Sequence, residues 1–247
     1  MSTLYEHPLN ERIRNYLKLE QLFSQAAQCF ECKINISHQV FFTALFAILD
    51  ILERTDVRGD LIKELEKLEQ NMLLWSAAPD IDNSALNDNM QLTLSLTAQL
   101  KSTNPTWHQL KNDKFLSSLK QRFAIQGASS GFDLPQLKYW LNASQKSQQS
   151  NIIQWLNRLE HISSSLTLVL KFIRQKAFFQ DINSQSGFYQ DSGDGLLLLR
   201  IKLRTDADYY PTVSGNKLRY SIRFMLPCSE NGSSYINQAV SFQLAAC

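Results

Sequence analysis

The hydrophobic period of this chain changes near Ser186, and that change most constrains what the chain can fold into. Before Ser186, apolar residues recur at steps of three and four, as in amphipathic helices. After it, apolar and polar residues alternate, as in half-buried antiparallel strands. We therefore predict an α+β fold. Its N-terminal two-thirds is mostly helical and includes a helical bundle, and its C-terminal antiparallel β-sheet is covered by helices.

The helical part divides into several segments. The first helix is predicted to start with Pro8 in its first turn and to run through Phe30. Further helices are expected from Ser37 to Leu52 and near 57–76, 82–101, 108–120, 135–141 and 147–178. The segment 57–76 carries a heptad-like apolar stripe, which suits the core of a bundle and also suits the pairing of two copies.

Three alternating segments, 197–204, 217–225 and 240–244, form the predicted sheet. A sheet with one apolar face is not stable alone, so helix 147–178 and the N-terminal helix are expected to cover it. This divides the chain into a sheet-containing domain, residues 1–22 together with 105–247, and a helical bundle domain, residues 23–104. The bundle domain is the candidate for dimerisation.

Composition excludes several classes of protein. The 25 basic and 23 acidic side chains give a net charge of +2, which argues against a general binder of polyanions. The N-terminus has no apolar export stretch, and the longest nearly apolar run, 40–49, is about half of what a membrane span needs. We expect a cytoplasmic protein without membrane insertion. Cys29 and Cys32 form a lone C-x-x-C, so ordinary thiols are expected, with no metal and no cofactor.

One motif suggests an enzyme. Residues 127–131 match the G-x-S-x-G nucleophile elbow, with Ser129 as the nucleophile. The parallel strands that should precede such an elbow are missing, and the histidine downstream, His161, falls within a predicted helix. A Gly/Ser-rich turn is therefore favoured, and a serine hydrolase stays an alternative.

Two of the predicted strands are basic on their polar faces. If they are neighbours, six like charges share one sheet face, and an acidic partner or internal carboxylates must compensate them. The residues are Arg200, Lys202 and Arg204 on one strand and Lys217, Arg219 and Arg223 on the other. A sheet that binds nucleic acid is a further alternative. It is disfavoured because Tyr220 and Phe224 alternate with Arg219 and Arg223, which puts the aromatic rings on the opposite face.

Several segments together resemble the ZapD family of bacterial division factors. They are EHPLNERIRNYLKLE at 6–20, ERTDVRGDLIKELEK at 53–67, FDLPQLKYWL at 132–141, LVLKFIRQKA at 168–177, GFYQD at 187–191 and YYPTVSGNKLRYSIRFM at 209–225. The resemblance implies a non-enzymatic homodimer that binds the C-terminal tail of the tubulin-like protein FtsZ. It also implies bundling of FtsZ filaments at the midcell division ring, with no nucleic acid as partner.

The resemblance also implies which residues bind the tail. The family's tail-binding surface is basic, and the matching positions here are Arg14, Lys18, Arg54, Arg58, Lys114, Lys138, Arg219 and Arg223. At positions 18, 114 and 138 this chain has lysine, where the family pattern leads us to expect arginine, arginine and histidine. Lysine keeps the charge but lacks the planar fork that grips a carboxylate with two hydrogen bonds.

Overall fold

The computed structural model describes residues 2–31, 34–76, 83–102, 106–125, 132–216, 218–227 and 234–247. The chain forms two compact units. The sheet unit comprises Met1–Leu17 and Leu170–Cys247, and the helical unit comprises Lys18–Val169. These limits differ from the division drawn from the sequence, in which residues 23–104 are the candidate dimerisation domain; that division stays a prediction.

Helices fill the N-terminal two-thirds of the chain, as the 3.6-residue period predicts. They are α1 (Glu11–Glu31), α2 (Ile34–Arg54), α3 (Val57–Trp75), α4 (Asn83–Lys101), α5 (His108–Lys111), α6 (Lys114–Phe123), α7 (Pro135–Leu141), α8 (Gln145–Asn157) and α9 (Glu160–Gln175). Several start at a side-chain cap: Asp56 accepts from the Gly59 amide at 3.0 Å, and Asp113 accepts from the Leu116 amide at 3.1 Å.

Three of the predicted helices differ from the observed ones. The predicted helix 108–120 is two helices, α5 and α6, with a break at residues 112–113. The predicted helix 147–178 is two helices, because residues 158–159 form a turn in which the Leu159 amide donates to the Leu156 carbonyl at 2.9 Å. The N-terminal helix starts at Glu11, not near Pro8, since residues 2–8 pair with a distant strand. The hydrophobic period of a sequence shows neither a short break within a helix nor the pairing of a segment with a distant strand.

The helical unit has an aromatic core. Phe42 of α2 contacts the rings of Trp140 and Trp155 at centroid distances of 5.5 and 5.9 Å, and Phe115 stacks on Trp155 at 5.9 Å. The stripe on α3 is buried where α3 packs on α4, at Leu61, Leu65, Leu68 and Met72. The chain's own bundle therefore uses most of this stripe.

The strands form two antiparallel sheets. They are β1 (Ser2–Pro8), β2 (Gln180–Ser184), β3 (Phe188–Ser192), β4 (Leu198–Arg204), β5 (Tyr210–Gly215), β6 (Arg219–Met225) and β7 (Val240–Ala246). One sheet has the order β1-β4-β7-β2 and the other β3-β6-β5. The α+β class and the three alternating segments are confirmed, whereas β1, β2, β3 and β5 were not predicted.

The two sheets share one core. Leu199 and Ile201 of β4 and Phe242 of β7 pack in a buried cluster with Ile222 and Phe224 of β6. Each sheet thus covers the apolar face of the other, where a single sheet was expected. The two basic strands are not neighbours, because β4 and β6 lie in different sheets. The six like charges therefore do not share one sheet face. Within the described residues, no helix combines the length and apolarity of a membrane span.

Candidate functional site

The outer face of the β1-β4-β7-β2 sheet is basic, but its arginines are held by carboxylates. Glu6 of β1 accepts from Arg200 of β4 at 3.0 Å and from Arg174, at the C-terminal end of α9, at 2.6 Å. The Arg200 guanidinium also donates to the Arg174 carbonyl at 3.1 Å. The three side chains are only 17–23% exposed, so this ion triad ties β1, β4 and the end of α9 together.

The remaining cations of that face are also engaged. The ammonium of Lys202 lies 3.7 Å from the centroid of the Phe179 ring, a cation–π contact. Arg204 is bidentate to Asp206 at 2.5 and 3.0 Å, and its hydrogen bonds hold the pKa of Asp206 below the ordinary value. We term this surface the neutralised face. It has the internal carboxylates that the sequence analysis required of a basic sheet.

The outer face of the β3-β6-β5 sheet differs. Alternation along β6 buries Tyr220, Ile222 and Phe224 and exposes Arg219 and Arg223. Among the described residues, neither exposed arginine forms an ion pair with a carboxylate. We term this surface the basic face, and it comprises Phe188, Gln190, Arg219, Ser221, Arg223 and Tyr235. A sheet face with available guanidinium groups can take an acidic partner.

Two aromatic rings lie against Arg223. Phe188 is its register partner on β3, and the guanidinium carbon lies 5.1 Å from that ring's centroid. The Tyr235 ring, placed by a bridge between Tyr235 and Met225, lies 4.6 Å away. Phe188 is 38% exposed and Tyr235 59% exposed. The interpretation that aromatic rings lie away from the charges therefore holds for Tyr220 and Phe224 but is wrong for the face as a whole.

A shallow groove of about 330 Å³ lies beside Arg219. It is lined by Gln190, Ser214, Asn216 and Ser221, all polar. The Asn216 side-chain oxygen accepts from the amides of Leu218 and Arg219 at 2.9 and 3.2 Å, which fixes the turn that leads into β6. The groove thus offers a guanidinium and neutral polar groups, a set that suits carboxylates on an extended peptide.

The structure assigns the other predicted binding residues to separate places. In the sheet unit, Arg14 is exposed and pairs with Glu11 at 3.2 Å. In the helical unit, Lys18, Lys114 and Lys138 are exposed on α1, α6 and α7. Of the eight residues, Arg219 and Arg223 share one sheet face, and Arg14 and Lys18 lie one turn apart on α1. The prediction that all eight form one groove stays a prediction.

Arg54 lines a cleft of about 660 Å³ within the helical unit. The acidic residues of that cleft are already paired: Lys120 lies 2.8 Å from Asp50 and 3.4 Å from Glu53, and Lys111 lies 3.6 Å from Glu53. Burial alone would lower the pKa of Lys120, but its hydrogen bonds to Asp50 and Glu53 raise the pKa overall. The cleft's carboxylates are thus neutralised by these lysines, and among the described residues Arg54 has no carboxylate partner.

Arg58 has a structural role. Its guanidinium donates to the carbonyls of Leu100 and Ser102 at 2.6 and 2.7 Å, at the C-terminal end of α4. A cation there neutralises the negative end of the helix dipole and satisfies carbonyls that the helix leaves open.

The other motifs lie partly or wholly outside the described residues. The G-x-S-x-G segment, including Ser129, falls there, as do Cys32 and Cys228. Cys29 and Cys247 are buried. The interpretation of the cysteines as ordinary thiols stays a prediction.

Comparison with known proteins identifies the family. The family model of ZapD, described as a cell division protein, matches residues 17–223. A cell division protein ZapD from an Enterobacter species is 36% identical over 245 residues, which cover 99% of this chain and 98% of the relative. One from Yersinia enterocolitica is 38% identical over 244 residues, 99% of this chain and 97% of the relative.

A chain similar over 99% of its length to such relatives belongs to the class of cell division proteins. Within that class it is a member of the ZapD family. The resemblance drawn from the sequence segments is thereby confirmed.

Proposed function

We propose that this protein is a non-enzymatic adaptor that binds the C-terminal tail of FtsZ and cross-links FtsZ filaments in the cytoplasmic division ring at midcell. Family membership supports the role in division. The single observation that supports the binding chemistry is the basic face, where Arg219 and Arg223 project from one strand and, among the described residues, lack carboxylate partners.

The basic face is suited to an extended acidic peptide. Arg219 lies beside the polar groove and can form bidentate hydrogen bonds to a carboxylate. Arg223 is held between Phe188 and Tyr235, so less side-chain entropy is lost when it binds. The exposed parts of those rings add an apolar surface for a neighbouring peptide side chain. Charge would attract the tail, and the rings would retain it.

Cross-linking of filaments requires two tail-binding sites in one homodimer. In a homodimer each subunit binds one tail, and two tails from different filaments are joined. A filament presents many tails, so weak single-site binding is amplified by multivalent attachment. Because most of the α3 stripe is buried within its own chain, we place the dimer contact on other residues of the 23–104 segment, such as the exposed Leu73 and Leu74.

The decisive experiment is co-sedimentation with polymerised FtsZ, comparing full-length FtsZ with FtsZ that lacks its C-terminal tail. We expect this protein in the pellet only when the tail is present, and we expect less of it as salt shortens the screening length from ~10 Å at 0.1 M. Bundling that persists unchanged at high salt, or without the tail, would contradict the proposal.

Charge reversals locate the site. Lys18→Glu, Lys114→Glu and Arg219→Glu are each expected to reduce co-sedimentation. Arg204→Glu is the matched control, because Arg204 is exposed in the same unit as Arg219 but pairs with Asp206 on the neutralised face. A control as defective as Arg219→Glu would show that net charge, not the basic face, governs binding.

One observation favours a second candidate, single-stranded nucleic acid. Phe188 and Tyr235 beside Arg223 resemble the mixture of rings and cations on which bases stack. The net charge of +2 and the small number of rings weigh against it. Fluorescence anisotropy with labelled single strands tests it, and a salt-dependent rise that Arg223→Ala removes would favour this candidate over the peptide.

A further inference from the structure

A second cationic site lies in the helical unit, in a cavity of about 190 Å³. Four parts of that unit contribute its lining: α3, the C-terminal end of α4, residues 106–107, and the turn from α8 into α9. Its lining residues include Arg58, Thr106, Trp107, Arg158, His161 and Ile162.

The lining combines positively charged hydrogen-bond donors with neutral side chains that can donate or accept. Two arginines and a histidine line the cavity together with Gln99, Ser102 and Thr106, and no carboxylate is among its described lining residues. Arg58 uses two of its five N–H groups on the carbonyls of Leu100 and Ser102, so the others remain. These carbonyls also hold the guanidinium in place before any ligand arrives.

The indole N–H of Trp107 is a second, independent indication that the cavity binds a ligand. Its side chain is only 7% exposed, and among the described residues its indole N–H has no hydrogen-bond acceptor. An indole nitrogen can only donate, and a buried donor without an acceptor costs free energy. Trp107 is one of the lining residues of the cavity. An acceptor bound beside its indole nitrogen would satisfy that donor.

The cavity wall is positioned by local contacts. The Thr106 hydroxyl donates to the carbonyl of Arg158 at 2.8 Å, which joins residues 106–107 to the turn between α8 and α9. Leu100 and Ile162 supply apolar wall beside the donors. The volume corresponds to about six waters at liquid density, enough for a group of a few heavy atoms.

We propose that this cavity binds a small free oxyanion, a phosphate or a short carboxylate, through the side chains of Arg58, Arg158 and Trp107. The donors supply charge and direction, and Leu100 and Ile162 flank any short alkyl group. The proposal is independent of tail binding, because its evidence lies wholly in the cavity and not on the basic face. It gives Arg58 a ligand other than the tail with which the resemblance associates it.

The test follows the indole N–H of Trp107 by ¹H–¹⁵N NMR in the ¹⁵N-labelled full chain, with Trp107→Phe to assign the signal. Sodium phosphate and sodium propionate are titrated separately against sodium chloride at matched ionic strength. We expect a saturable shift of the Trp107 signal with phosphate, propionate or both, and no matching shift at Trp140 or Trp155. The two titrations distinguish the two ligand chemistries. A response no different from that to chloride would overturn the proposal, and the titration itself is made on the unsubstituted chain.

Variants then test the residues. Arg158→Gln is expected to weaken binding about tenfold or more, as loss of one charged hydrogen bond should. Arg122→Gln is the matched control, because Arg122 is an exposed arginine of α6 that does not line the cavity. This variant should bind the oxyanion like wild type. Arg158→Gln should keep normal co-sedimentation with FtsZ, whereas loss of both activities would overturn the separation of this site from the tail site.

Discussion

The outer faces of the two sheets in the sheet unit both carry arginines, but those arginines are paired on one face and available on the other. On the neutralised face, Arg200 and Arg204 are matched by Glu6 and Asp206. On the basic face, Arg219 and Arg223 have no carboxylate partner among the described residues. An arginine held by an internal carboxylate contributes to stability, while one left available contributes to recognition.

The comparison also shows where the neutralising charge comes from. Glu6 lies 194 residues before Arg200 in the chain and is delivered by the pairing of β1 with β4. The β3-β6-β5 sheet is built entirely from the C-terminal segment, and its carboxylate Asp191 accepts from the Tyr189 hydroxyl at 2.9 Å. The basic face is thus left positive by its topology.

The largest expected effect is on binding. The double reversal Arg219→Glu with Arg223→Glu should weaken binding to full-length FtsZ by ~100-fold or more, since like charges would then face an acidic tail. The free energy of unfolding should change little, because both side chains are exposed and neither is paired with a carboxylate among the described residues. Co-sedimentation over a range of FtsZ concentrations measures the first quantity, and urea denaturation measures the second. Full binding by a folded double variant would remove the basic face from the mechanism.

The neutralised face should respond in the opposite way. Glu6→Gln leaves Arg174 and Arg200 close together with no carboxylate between them, and should lower the free energy of unfolding by about 2 kcal/mol. Binding to FtsZ by the folded fraction should be unchanged. Urea denaturation checks the loss, with Asp206→Asn as control, since that exposed pair with Arg204 should give no measurable change. Equal effects of the two substitutions would show that burial of the triad is unimportant.

The aromatic rings of the basic face give a smaller effect. Phe188→Leu keeps apolar bulk but removes the cation–π contact with Arg223, and should weaken binding about threefold, or ~0.6 kcal/mol. Phe178→Leu is the control, because Phe178 is an exposed phenylalanine of the same unit that is not part of the basic face. If both substitutions weaken binding equally, the rings have no specific role.

Part of this comparison could be predicted from the sequence. Strict alternation identifies β4, β6 and β7, and it correctly places Arg219 and Arg223 opposite the buried Tyr220 and Phe224. The positions of the basic residues on these strands also indicate that like charges on a sheet face need carboxylates or an acidic partner to compensate them. Alternation does not show which strands are neighbours, because strand order depends on pairings between distant segments.

The features missed by sequence analysis share that cause. Residues 2–8 do not read as a strand, and β1 forms because β4 offers an edge, which brings Glu6 to Arg200. Phe188 likewise lies on a short polar strand, and nothing in the sequence indicates its role. Only the register of β3 on β6 places it opposite Arg223. The aromatic pair Phe188 and Tyr189 directly after the turn-forming Gly187 could have suggested β3, but not its partner.

The smallest expected effect concerns His7, which lies on β1 beside Glu6. Burial, together with the charge of Arg14, lowers the pKa of His7 in the folded protein. Unfolding therefore takes up a proton at pH values where the unfolded histidine, with a pKa of ~6.5, is protonated and the folded one is not. The free energy of unfolding should fall as the pH drops below about 6.5, and His7→Gln should reduce that fall without changing the behaviour near pH 8. Urea denaturation at a series of pH values measures both slopes. An unchanged slope in His7→Gln would place the acid sensitivity on other groups and leave the Glu6 triad as the main contribution of β1 to the stability of the neutralised face.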